Sequence, residues 1–156
     1  MKESLQALLA EWKLTRSTTI SFLEELSDAD LDKPLPRKVL NTIRQQAHEL
    51  TIFQEDVINS LTTKTLDFGG EYNYKNLPKE TLTQKMAQLD AALEQKLTQQ
   101  EGTETIDFFG EPRNIHQIMA LLISHENMHI GQIIAFCYAT GIQVPDSISE
   151  SMALEG

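Results

Sequence analysis

Four runs of apolar residues, each stepping by three and four positions, leave this chain little choice but to fold as packed helices. In the first run, Leu5, Leu8, Leu9, Trp12, Ile20, Leu23 and Leu26 draw one stripe along residues 3–26 or so, the spacing that gathers side chains on one helix face. Val39, Leu40, Ile43, Ala47, Leu50, Phe53, Val57, Ile58 and Leu61 predict a second helix over about 38–61. Leu82, Met86, Leu89, Leu93 and Leu97 predict a third over about 79–100, within a stretch of good helix formers. The fourth is predicted over 114–140, with Asn114 as its N-cap and Gly141 as a left-handed stop.

The segments between these runs lack a helical period. Ser27-Asp-Ala-Asp and the prolines Pro34 and Pro36 interrupt the first connection, and residues 62–79 carry a Gly-Gly pair and aromatics that mark an irregular crossover. Residues 103–113 are irregular with room for a short extended piece, and the residues after Gly141 are expected to form an irregular tail. With 156 residues and no internal repeat, the reading is one domain over 1–156: an all-α four-helix bundle with its sites between facing helices.

The formal net charge of -10, from 23 acidic and 13 basic side chains, repels phosphate backbones and anionic bilayers. No nucleic acid and no membrane is expected as a partner. Cys137 is the single cysteine, so no internal disulfide can form, and the amino terminus lacks the apolar core of a secretory signal. The expected address is the cytoplasm.

The chemistry sits in His125-Glu126-Asn127-Met128-His129. Histidines four residues apart share a helix face and can converge on one ion. Ile118, Leu122, His125, His129, Ile133 and Phe136 form one stripe, so both imidazoles are expected to face the core. Two stacked core histidines each need a polar partner; a metal supplies one, hydrogen bonds to core groups another. The string also fits H-E-x-x-H, with Glu126 as the general base of a zinc peptidase, but Gly131 falls one position early for the extended motif and its last histidine is missing. Among the other histidines, His116 lies about half a turn out of phase with the pair. His48 is mid-helix, on the flank of its apolar stripe near Thr51 and Ile52.

Three stretches resemble the DinB-like (DinB/YfiT) family of bacterial metal-binding four-helix proteins. They are the first helix with Trp12 and Arg16 followed by LEELSDADLDKPL, the second-helix segment TIRQQAHELTIFQE, and the closing segment HENMHIGQIIAFCYATG with Gly131 and Gln132. The resemblance implies an up-down-down-up bundle, often a homodimer, with His48, His125 and His129 holding one divalent ion, zinc or nickel first. Three protein ligands would leave coordination positions open, as in catalytic sites. Relatives that use low-molecular-weight thiols imply a small-molecule substrate and a metal-dependent transferase, or a hydrolase working through metal-activated water. Glu126 is a candidate base, Gln132 can line the pocket or pack between helices, and Trp12, Phe68, Tyr72 and Tyr74 are candidates for the pocket wall. The rival reading is a non-catalytic bundle whose ion serves dimerisation, sensing or partner binding.

Overall fold

The computed structural model describes residues 2–68 and 73–154. In chain order the elements are α1 (Glu3–Glu25), α2 (Asp28–Leu31), α3 (Ile43–Thr63), β1 (Thr65–Leu66), α4 (Lys79–Thr98), β2 (Thr105–Phe108), β3 (Glu111–Asn114), α5 (Ile115–Thr140) and α6 (Asp146–Ser151). Cross-helix contacts set the direction of the four long helices. Ser4 meets His116 and Arg16 meets Glu126, so α1 and α5 run parallel. Gln46 meets His129 while Glu49 meets His125, so α3 runs against α5. Glu55 pairs with Lys85 and Thr62 with Lys96, so α4 runs with α3. The bundle is therefore up-down-down-up.

Helix ends follow local chemistry. Asn114 and Gln117 each accept the other's backbone N–H through a side-chain oxygen, closing a capping box at the start of α5. Gly141 stops α5 with φ +69°, a conformation that costs glycine little. The second long helix begins at Ile43 rather than near 38 because Leu40 adopts φ +55° and Thr42 caps the helix by accepting the Gln45 N–H. Val39 and Leu40 continue the apolar spacing, yet Val39 is exposed and only Leu40 is buried.

Two stretches without a helical period are ordered. Residues 105–114 form the β2–β3 hairpin, and β1, inside the crossover, pairs parallel to β2 to complete a three-stranded sheet. The expected tail instead contains α6, which buries Ile148 against Ile142, Val144 and the α1–α3–α5 core. Six residues are too few for a 3.6-residue period to show in sequence, so only packing reveals this helix. No helix among the described residues is long and apolar enough to cross a membrane.

The core divides into two apolar clusters. One holds Phe22, Leu23, Leu50, Met86, Ile130 and Ile133; the other holds Leu9, Trp12, Phe53, Leu93, Ile118 and Leu122. Between them lies a layer of buried polar side chains from α1, α3 and α5 that includes Arg16, Gln54, Glu126 and His129, joined from α4 by the partly buried Asp90. Cys137 belongs to the first cluster, where burial and the nearby Asp30 charge push its thiol up to about 11. The thiolate is the reactive form, so native protein at pH 8 should resist Ellman's reagent over a period in which urea-unfolded protein reacts fully. Rapid labelling of the folded chain would show that Cys137 is reachable and ionised.

Candidate metal centre

His125 and His129 stand one turn apart on α5, with ring centroids 4.8 Å apart. Because α3 runs antiparallel beside them, Glu49 faces both. Its Oε1 lies 3.3 Å from His125 Nε2 and its Oε2 3.0 Å from His129 Nε2. One donor atom from each of the three residues falls within 4.8 Å of the others. Burial alone would raise the Glu49 carboxyl, but the close approach of the two histidines outweighs it and holds the group down at about 2. The carboxylate is thus an anion throughout the physiological range.

The residues behind the trio fix its orientation. Gln46, fully buried one turn before Glu49, places Oε1 3.3 Å from His129 Nδ1. With an ion on Nε2, His129 would carry its hydrogen on Nδ1 and donate it to Gln46 Oε1. Phe53 stacks on the His125 ring at a centroid distance of 3.7 Å and an interplanar angle of 13°. A cleft of about 310 Å³ lined by Glu49, Ile52, Phe53, Phe68, Leu121 and His125 opens beside the trio.

The structure brings together two of the three sequence-predicted ligands and leaves His48 outside. His48 Nδ1 accepts the Lys75 backbone N–H at 2.9 Å. Burial and the charges of Lys85 and Lys75 lower its pKa, which keeps the ring neutral. A neutral imidazole that accepts at Nδ1 carries its hydrogen on Nε2, so neither nitrogen offers a lone pair to an ion. His48 instead ties the crossover to α3. Glu49, one residue on, is rotated about 100° around the helix and takes the place facing α5. The step Gln46, Glu49, Phe53 carries the signal: three and four residues apart, these side chains all meet α5.

Glu126 is buried and pairs with Arg16, whose Nη1 lies 3.2 Å from Glu126 Oε1. Burial raises its pKa and Arg16 opposes the rise. Arg16 also donates to Gln54 Oε1 at 3.0 Å and lies over the Trp12 ring, while Gln54 and Trp12 both donate to Asp90. Trp12 is therefore fully buried in its apolar cluster with its indole N–H turned to this polar layer, and is absent from the cleft lining, whereas Phe68 lines it. Tyr74 is half-buried, and burial together with the Glu49 charge pushes its phenol up. Tyr72 lies outside the described residues. Gln132 accepts from Arg37 at 2.9 Å, and His116 is engaged by Ser4.

A family model described as the DinB family matches residues 1–147. The chain belongs to the DinB family. Two solved structures share its fold. A DinB-like protein from Bacillus cereus ATCC 10987 superposes with a TM-score of 0.70 at 23% identity, covering 90% of this chain and 95% of that one. A DinB-like protein from Bacillus subtilis gives 0.64 at 20% identity, covering 89% of this chain and 95% of that one. None of the curated proteins compared matches the chain.

The Glu49–His125–His129 trio of this DinB-family chain suits a divalent ion. Two imidazoles and a carboxylate form a donor set found in catalytic zinc and mononuclear non-haem iron sites. Two buried atoms at the trio, Glu49 Oε2 and His125 Nδ1, lack a hydrogen bond of good geometry. Buried polar atoms left in that state are costly, and coordination by Glu49 would relieve one of them.

Proposed function

We propose that this protein is a metal-dependent enzyme in which Glu49, His125 and His129 hold one divalent ion and a small-molecule substrate enters from the adjoining cleft. The convergence of three ionisable donors at the edge of an opening carries the reading. A structural zinc site is closed by four protein donors, whereas three leave a position for water or substrate. An ion there would supply water or a thiol with a lowered pKa, and so a nucleophile near neutral pH. The chain's own residues do the rest. Glu49 provides the negative charge that favours a cation, Gln46 would accept the Nδ1 hydrogen of a metal-bound His129, and the apolar cleft walls exclude water from the substrate side. The reaction class is transfer of a small thiol to an electrophile or hydrolysis by activated water.

The test is titration of metal-free, untagged protein with zinc, nickel and ferrous iron, followed by a screen of thiol acceptors and hydrolysable esters and amides. About one equivalent bound per chain is the count for a single three-ligand site. No uptake of any of the three metals would end the reading, and uptake without turnover would favour the non-catalytic alternative. Gln46→Leu should keep the fold and lower metal affinity by roughly 10–100-fold, the usual effect of losing a partner behind a ligating histidine. Competition against a chromogenic chelator measures it, and unchanged affinity would show that Gln46 does not orient His129.

A further inference from the structure

The β2–β3 turn contains an anomaly. Its two central residues are Phe109 and Gly110, with φ +52° and +84°, the backbone of a tight hairpin turn in which asparagine followed by glycine is favoured. A bulky side chain at the first of these positions is a conformational outlier. Phe109 is also 64% exposed, so ordinary core burial does not account for the choice.

Its ring instead continues a line of aromatic faces that ends at the metal centre. Phe109 lies 5.5 Å from Phe68, Phe68 stacks 5.1 Å from Phe53, and Phe53 stacks on His125. Leu121 and Ile52 complete an otherwise apolar cleft whose polar groups, Glu49 and His125, sit at the metal end. At about 310 Å³ it stands at the small end of ligand pockets, which start near 300 Å³. That volume suits a single ring and its substituents.

We propose that this cleft binds the planar apolar body of a small-molecule ligand whose donor head reaches the Glu49–His125–His129 centre, with Phe109 backing the Phe68 wall. The inference rests on the metal centre proposed above and adds the class of molecule that the centre takes. Placing a ring against these faces removes its apolar surface from water and adds aromatic contacts.

Two probes with the same chelating head separate the cleft from the metal. Zinc-loaded protein is titrated calorimetrically with benzohydroxamic acid and with acetohydroxamic acid, and zinc content is measured in the same samples. The phenyl compound should bind at least about tenfold more tightly, as burial of a ring implies. Leu121→Trp, which fills the cleft from a partly exposed position, should erase the preference while zinc stays bound; Phe68→Ala should weaken it. Phe109→Asn should also reduce it, while thermal stability holds or rises because the turn is relieved. Equal affinity for the two hydroxamates in zinc-loaded protein overturns the cleft and leaves the metal centre standing. Failure to retain zinc overturns the centre and this inference with it. A preference untouched by Leu121→Trp and Phe109→Asn places the ring elsewhere and overturns the assignment.

Discussion

Glu49→Gln is expected to take the protein from about one bound divalent ion per chain to nearly none, with His48→Ala keeping its metal. The amide preserves shape and removes the anionic donor that lies 3.3 Å and 3.0 Å from the two histidine Nε2 atoms. Loss of a ligand should exceed the roughly 10–100-fold carried by an outer partner. His125→Ala and His129→Ala should behave like Glu49→Gln. Elemental analysis of the four variants after gel filtration, with circular dichroism to confirm the helices, decides the matter. Metal lost in His48→Ala and retained in Glu49→Gln would restore the three-histidine arrangement that the family resemblance implies, and would require the His48–Lys75 hydrogen bond to break on metal binding.

The second large effect is on stability. Arg16→Ala strips the guanidinium from Glu126, which is 1% exposed, and leaves Gln54 and Asp90 without a shared donor. Breaking a buried pair by removing one partner typically costs about 3–5 kcal/mol, and a chain of this size loses roughly 2–4 °C in Tm per kcal/mol. Urea denaturation with the double variant Arg16→Met, Glu126→Leu completes the measurement. Filling both places with apolar side chains should recover much of the loss, because the cost lies in the orphaned charge. Glu126→Gln should retain its metal. A loss under about 1 kcal/mol in Arg16→Ala, against the range for buried pairs, would mean that water or a rearranged Asp90 rescues Glu126. Metal loss in Glu126→Gln would tie Glu126 to the centre after all.

These two predictions share a structural cause. The polar layer lies between two apolar clusters, and it contains both the Arg16–Glu126 pair and His129. The pair fixes α5 against α1, and Gln46 and Glu49 fix it against α3. The rotation of α5 that presents His125 and His129 is thus set from both sides.

The four long helices were legible because a helix is written locally: the 3.6-residue spacing, the Asn114 capping box and the Gly141 stop all act within a few residues of themselves. The inward face of His125 and His129 was legible for the same reason, since the flanking apolar residues share their stripe. Several features needed tertiary structure. The hairpin and α6 are too short for periodicity to reveal, and Leu40 extends an apolar pattern through a backbone that cannot be helical. The choice between His48 and Glu49 turns on a rotation of about 100°, which has meaning only once α5 is in place beside α3. Glu126 reads as a catalytic base when H-E-x-x-H stands alone, and becomes the partner of Arg16 when α1 packs parallel to α5. Sequence by itself determined the four long helices and which face of α5 carries the histidines, because those depend on neighbours along the chain. Tertiary structure alone decided which carboxylate meets them, because a ligand set is a relation between helices and no single helix contains it.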